Sequence, residues 1–348
     1  MTQTQRPDTD DRAHEKPHDA DGTLPQPQDP QQDPPHAPDH GTAPFPEPDR
    51  EPVGSDWRLQ EGVRYLVCLD VDGTLVDHDG RMSQAVLDSA RAAAAAGHHL
   101  VIATGRSRGA TLPVCEKLGL ESGYAVSSNG GITMHLSSEH EDWYRVIDAV
   151  TFNPEKALQA LREVLPSAKY AIETADGSFY STERFQDGSF GIEAIPTDMR
   201  GLAELDAVRL VVSSSAEEPE DFAEAIDRSG LHGVAYSVGW TSWLDVAANG
   251  VSKASALEQV RRRLDVDPAH TVAIGDGHND IEMLEWAARG VAMGQAPDEV
   301  VEAAREVTTS VYQDGAARIL RSLLPQGCLL YTSPSPRDVE ESRMPSSA

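Results

Sequence analysis

Short apolar runs, each ending on a small or acidic residue and each followed by a helical stretch, constrain this chain more than any other feature. YLVCLD (65–70) is the first of them. SQAVLDSARAAAAAG (83–97) follows, with Ser83 at its start, an Ala-rich interior and Gly97 at its end, all helix signals. HLVIAT (99–104) is a second buried-strand run, SRGATLPVCEKLG (107–119) reads as helix in spite of Pro113, and YAVSSNGG (124–131) is a third strand breaking into a turn. This β-α-β-α-β order predicts a parallel sheet with helices on both faces. The rhythm resumes at 252 with helix SKASALEQVRRRL, strand TVAIGD (271–276), helix NDIEMLEWAA (279–288), strand GVAMG and helices PDEVVEAAR and GAARILRSLL.

Between about 137 and 248 the pattern is different. A helix over 154–165 is followed by KYAIETADGSFYST, which carries an Asp-Gly hairpin signal at 176–177. Strand AVRLVVSS (207–214), helix EPEDFAEAIDRSG (218–230) and strands GVAYSVG and TSWLDVAA complete it. Such a mixture predicts a separate α+β unit, 137–248, inserted into an α/β core formed by 62–136 and 249–325.

The two ends stand apart. Residues 1–56 hold 12 of the 23 prolines and carry a net charge of −9, with almost no aliphatic side chains, the signature of a disordered extension. From about 327 the chain reads GCLLYTSPSPRDVEESRMPSSA with no helical or strand period. That tail is similar to a translated sequencing adapter, and neither it nor Cys328 is assigned a role.

The whole chain carries 57 acidic against 29 basic residues, a net charge of −28, which argues against a nucleic-acid surface, since phosphate backbones are gripped by clustered Lys and Arg. No apolar run reaches the ~18 residues of a membrane helix. The N-terminus has neither a basic start nor an apolar signal core. Three widely separated cysteines make no disulfide framework. A cytoplasmic protein without membrane partners is expected.

Four islands carry the chemistry. Asp70-Val71-Asp72-Gly73-Thr74-Leu75 puts two carboxylates at the C-terminal end of a strand, where open α/β sheets build their sites. A nucleophilic Asp attacking phosphorus beside a second Asp as general acid and base fits that placing, and a plain acidic turn is the bland alternative. Thr104-Gly105-Arg106 offers a hydroxyl and backbone N–H groups to a phosphate, though Thr-Gly turns are common. Lys253 opens a helix; it is either a solvated charge or a cation offsetting the charge of a transferring phosphoryl group. Gly275-Asp276-Gly277-His278-Asn279-Asp280 supplies hard carboxylate oxygens of the kind Mg2+ prefers.

In this order and at these strand ends, DVDGTL, ATGR, GVSK and GDGHND resemble the motifs of the haloacid dehalogenase superfamily, and within it the Cof-type phosphatases that carry a large αβ cap. SSNGG (127–131) lies where that family runs from core toward cap. The resemblance implies a Rossmann-like core with an inserted α+β cap, and Asp70 as a nucleophile forming an aspartyl-phosphate. It implies Asp72 as the general acid and base, its backbone carbonyl on Mg2+, and Asp276 as a direct metal ligand with Asp280 supporting it from outside. Thr104, Gly105, Lys253 and Asn279 would bind phosphate, Lys253 would orient Asp70, and Arg106 has a less fixed role. The implied substrate is a small phosphorylated metabolite such as a sugar phosphate, selected by the cap. A phosphomutase and a phosphometabolite-binding regulator remain as alternatives. Trp240, Trp243 and Asp245 fall near the cap's return to the core, where the two tryptophans either stack on a sugar or, the favoured role, pack under the cap. His278 either touches substrate or, as expected, is simply exposed.

Overall fold

The computed structural model describes residues 52–54, 56–183, 194–216, 218–231, 233–238 and 242–325. The first part of the core runs β1 (Leu66–Leu69), α1 (Gln84–Ala95), β2 (His99–Ala103), α2 (Arg108–Leu118), β3 (Gly123–Ser127), β4 (Ile132–Leu136) and β5 (Tyr144–Ala149). The inserted unit follows with α3 (Glu155–Val164), β6 (Lys169–Thr174), β7 (Phe179–Ser181), β8 (Ile195–Pro196), α4 (Met199–Ala203), β9 (Ala207–Ser213), α5 (Pro219–Ser229), β10 (Val234–Val238) and β11 (Trp243–Ala248). The chain then returns through α6 (Lys253–Arg263), β12 (Thr271–Gly275), α7 (Ile281–Trp286), β13 (Arg289–Ala292), α8 (Asp298–Ala303), β14 (Glu306–Val307) and α9 (Gly315–Ser322).

The local signals act as expected. Ser83 and Ser107 cap α1 and α2 by accepting hydrogen bonds from Val86 and Ala110. Gly119 closes α2 in the left-handed region, and Pro113 is accommodated inside that helix. The core sheet has the order β14-β13-β12-β1-β2-β3-β4-β5, parallel from β14 to β3. Alternation along β1 sends Val67 and Leu69 to a layer with α1, α2 and α9, and Leu66 and Cys68 to a layer with α6, α7 and α8. Helices thus cover both faces, which is why these strands read as unbroken apolar runs.

Two expected boundaries move. The core does not end at 136, because β5 adds antiparallel to β4 and lengthens the core sheet, so the inserted unit leaves after Ala149 rather than at 137. YRVIDA lacks a clear strand pattern because it forms the sheet's edge, is half-buried to exposed, and so carries two charges. At the other edge, Val53 exchanges both backbone hydrogen bonds with Val307, at 3.0 and 2.9 Å, so the N-terminal extension joins the fold before residue 56. The short edge strand β14 presents unpaired backbone groups, and Val53 satisfies them. Residues 1–51 and the tail from 326 lie outside the described residues.

The inserted unit is a six-stranded sheet, β10-β11-β9-β6-β7-β8, antiparallel except between β7 and β8. Leu158 and Leu161 of α3 and Phe222 and Ile226 of α5 pack on one of its faces against Ile172, Leu210 and Val246. By the period-2 alternation of strands, Glu173, Arg209 and Asp245 lie on the other face. Trp243 packs there with Phe179 and Val211, a packing role, while Trp240 lies outside the described residues.

Phe222 is fully buried between α5 and the inserted sheet. Phe222→Ala is expected to lower stability by about 3–5 kcal/mol, measured by urea unfolding. A loss below about 1 kcal/mol would contradict this packing.

Candidate active site

Four adjacent parallel strands, β12, β1, β2 and β3, end at the same edge of the core sheet, and their following residues carry the sequence islands. The register Leu69↔Ile274 makes Asp70 and Asp276 neighbours across the gap where β1 and β12 lead to different sides, the usual place for a site in an open sheet. The loop after Asp70 turns sharply at Gly73, whose φ is +75°. A Cβ at that position would collide with the Asp276 carboxylate, so the close approach of the two loops requires glycine.

Lys253 is the first residue of α6, with Ser252 and Ser255 forming a reciprocal capping box. A cation is poorly placed at a helix N-terminus. Its fully buried Nζ is instead held by side chains, donating to Asp70 Oδ1 at 2.6 Å and Asp280 Oδ1 at 2.7 Å. Burial opposes its charge, but Asp280 and Asp70 overcome that and hold Lys253 above the usual ammonium range. Asp280 Oδ2 accepts from the backbone N–H groups of Asp276 and Gly277, both at 3.0 Å. Asp280 therefore spends both oxygens on protein donors, as a carboxylate supporting a metal site from outside should.

Oxygens of Asp70, Asp276 and Asp280 lie within 4.8 Å of one another. Burial, with Asp280 next in importance, raises the Asp70 carboxyl from 3.8 to about 7 against the pull of Lys253. Burial and Asp70 likewise hold Asp276 well above its usual value. When all three are ionised, the carboxylates exceed the one ammonium by two negative charges in a buried, oxygen-only cluster, and this donor set fits a hard divalent cation. Asp276 is further positioned by Thr74 Oγ1 and by Gln295 Nε2, each at 3.3 Å, and Gln295 also donates to the Gly73 carbonyl at 2.6 Å.

Asp72 stands outside this cluster. Its carboxylate is largely exposed and is held by Arg106 through Nε at 2.9 Å and a second guanidinium nitrogen at 2.5 Å. Its side chain is thus not gathered with the candidate metal ligands, and any contribution to a metal must come through its backbone carbonyl. Thr104 is buried, with Oγ1 accepting from the Arg106 N–H at 3.1 Å. The Gly105 carbonyl accepts from Arg209 of the inserted unit. His278 is partly exposed at the cavity wall, its Nε2 3.9 Å from Glu299.

The inserted unit reaches the core through charged side chains that the motifs do not contain. Glu173 accepts from Ser128 Oγ at 2.7 Å and the Arg108 N–H at 3.2 Å. Arg209 lies 3.4 Å from both Glu173 and Asp245. Asp245 also accepts from Asn129 at 3.3 Å, and burial raises its carboxyl against the pull of Arg209. Between the two units is a cavity of about 110 Å³ whose walls include Lys253, Asn129, Asn279, His278, Arg209 and Asp245. Glu173 and Arg209 sit opposite each other on β6 and β9, strands paired across a long stretch of chain with no local motif to mark them; only SSNGG flagged the position of Asn129.

Residues 67–320 match the profile of the haloacid dehalogenase-like hydrolases. The chain is 30% identical to YkrA of Bacillus subtilis (strain 168) over 266 residues, 74% of this chain and 97% of that one. It is 26% identical to the 5-amino-6-(5-phospho-D-ribitylamino)uracil phosphatase YitU of the same organism, over 74% of this chain and 96% of that protein. Among solved structures, a haloacid dehalogenase-like hydrolase from B. subtilis shares the fold at TM-score 0.63 and 22% identity, covering 75% of this chain and 100% of that one. The subclass IIB sugar phosphatase BT4131 does so at TM-score 0.62 and 23% identity, covering 74% and 98%. The fold is thus an α/β core with an inserted α+β cap.

The raised Asp70 carboxyl gives the site a pH signature. Between about pH 4 and 7 the folded state keeps a proton that the unfolded state has released, so stability falls as pH rises through that window. A divalent cation selects the ionised carboxylate, so stabilisation by added Mg2+ is expected to grow between about pH 5 and 8. Thermal melts with chelator and with Mg2+ check this; a Mg2+ effect independent of pH would contradict it.

Proposed function

Since the chain belongs to the haloacid dehalogenase-like hydrolases, we propose that it is a Mg2+-dependent phosphatase that hydrolyses a small phosphomonoester through an aspartyl-phosphate on Asp70. The observation that carries this reading is the Asp70 carboxylate held by a buried Lys253 at 2.6 Å, beside Asp276 and Asp280. A plain acidic turn has no need of a buried cation, and a pure binding site has no need of a carboxylate poised as nucleophile.

In this reading Lys253 and the Asp280 network fix the direction of Asp70, so that its free oxygen is the one presented to phosphorus. Attack forms the Asp70 O–P bond as the bond to the leaving oxygen breaks, and Asp72 in its protonated form gives its proton to that oxygen. The resulting Asp72 carboxylate then takes a proton from water, whose oxygen attacks phosphorus and frees Asp70 and inorganic phosphate. Arg106 holds both Asp72 oxygens, so it has to release the side chain before Asp72 can reach the leaving oxygen. Asp70 and Asp276, with the Asp72 backbone carbonyl, would hold Mg2+. The bound ion would supply charge neutralisation of the phosphoryl oxygens.

The leaving group would occupy the cavity beneath the cap. The cavity, about 110 Å³, opens to solvent, so a leaving group can extend beyond it. Asp245, Asn129, His278 and Asn279 offer donors and acceptors matched to hydroxyls, which supports a sugar phosphate or similar polyol phosphate.

With Mg2+ and any good phosphomonoester, Asp70→Asn is expected to reduce kcat by a factor on the order of 10⁴ or more. Asp72→Asn should reduce it by about 10²–10⁴ while leaving Mg2+ affinity by calorimetry within about twofold. Phosphate release by Asp70→Asn at the wild-type rate would sink the assignment.

A further inference from the structure

The turn SSNGG contributes no group to the phosphate chemistry above, yet its backbone is costly. Ser128 and Asn129 both lie in the left-handed region, at φ 52° and 53°, ahead of Gly130 at 99°. Non-glycine residues rarely adopt this conformation, and two in succession persist only where their surroundings hold them. Here the holders are the phosphate loop and the cap. The Ser128 N–H donates to the Arg106 carbonyl at 2.8 Å, the Asn129 N–H donates to the Thr104 carbonyl at 3.0 Å, and Ser128 Oγ donates to Glu173 of the cap. A Cβ at Gly130 would collide with the Ser252 carbonyl, so the turn also abuts the start of the helix bearing Lys253.

This backbone delivers the Asn129 amide to a place between three functional groups. Its Nδ2 donates to Asp245 Oδ2 at 3.3 Å, and its Oδ1 accepts from Asn279 Nδ2 at 2.9 Å. The polarity is dictated from the cap. A carboxylate only accepts, so Asp245 takes the amino end of Asn129 and leaves its carbonyl end facing Asn279. Asn279 must then turn its own amino end inward, and that end is the only part of its side chain able to donate to a phosphate oxygen. One of its two hydrogens goes to Asn129 and the other remains for a ligand. With the polarity reversed, Asn279 would present a carbonyl oxygen to an anion.

We propose that Asn129 is a positioning residue whose side chain, oriented by Asp245 of the cap, keeps the donor end of Asn279 turned toward the phosphate, so that contact with the cap completes the phosphate pocket. This rests on the phosphatase reading and on Asn279 as a phosphate contact. It also accounts for the strain, because a relaxed turn would not bring the Asn129 amide between Asp245 and Asn279.

The test compares the wild-type enzyme with Asn129→Gly, Asn279→Ala and the double variant, using Mg2+, p-nitrophenyl phosphate as substrate and inorganic phosphate as competitive inhibitor. Glycine keeps the left-handed backbone and deletes only the amide. Each single variant is expected to raise the inhibition constant of phosphate and KM about tenfold, with a smaller change in kcat. The double variant should be within about twofold of the weaker single, because one residue acts through the other. Asn129→Asp, which tolerates the same backbone and replaces the donor facing Asp245 by an oxygen, should weaken phosphate binding at least as much and stands in if the glycine variant does not fold. Effects that multiply to about a hundredfold in the double variant, or an Asn129→Gly enzyme that binds phosphate like wild type, would overturn the inference. A wild-type enzyme that neither turns over phosphomonoesters nor binds phosphate overturns the phosphatase reading, and this inference with it.

Discussion

The buried ammonium of Lys253 is the interaction on which the rest of the site depends. Asp70, Asp276 and Asp280 are brought together by strand register and loop geometry, and at these separations their mutual repulsion in a buried place is severe. Nothing in an apolar core offsets that. Lys253 does so by touching two of the three, and Asp280 passes the constraint on by accepting the N–H groups of Asp276 and Gly277. The position of Asp276 thus depends on Asp280, and the direction of Asp70 depends on Lys253. Removing the lysine would leave unpaired carboxylates in a dry place, a cost of about 3–5 kcal/mol by comparison with other buried pairs.

The core and the motif residues were legible because both are local. A buried parallel strand is an apolar run, a helix start is a Ser cap, and the catalytic groups of an open sheet lie at strand ends, so Asp70, Thr104 and Asp276 could be placed from the chain alone. Lys253 was legible only through the resemblance, since a lysine opening a helix is ordinary, and its burial comes from packing that no local pattern reveals. What could not be read were long-range pairings. The hairpin of β4 and β5 stays on the core sheet because of its partner β3, and β5 alternates too weakly to declare it. Glu173 and Arg209 stand opposite each other across β6 and β9 in a register set by the folded sheet.

Asp72 illustrates the same limit at the scale of one side chain. The spacing of two acids in DVDGT places both just beyond the end of β1, and strand alternation would put both on one side. They part because the chain has left the strand and turns toward Gly73, so that Asp70 enters the carboxylate cluster while the Asp72 carboxylate is exposed. That Arg106, two residues beyond Thr104, would close on it bidentately follows from β2 lying beside β1. The pair is largely exposed on the Asp72 side, so it contributes little to stability and is free to open and close at small cost.

The two units of the fold repeat one electrostatic device. In the core one cation, Lys253, serves two carboxylates; on the cap's inner face one cation, Arg209, lies against two, Glu173 and Asp245. The difference is in what else they hold. Lys253 has its partners within the core, whereas Arg209 also donates to the carbonyl of Gly105, Glu173 accepts from Ser128, and Asp245 accepts from Asn129. Each cap charge is therefore shared with a core group in the Thr104–Arg106 loop or its neighbouring turn. Such a set resists partial separation, because parting one contact leaves a buried charge with fewer partners while the others are still desolvated. Cap contact is then cooperative, with the charges either buried and paired or solvated together. Lys253 and Arg209 are each outnumbered by their carboxylates. For a protein of net charge −28 to receive an anion here, a divalent cation on the Asp70–Asp276 cluster would have to offset the local negative charge, with the lysine, the arginine and oriented amides completing the pocket.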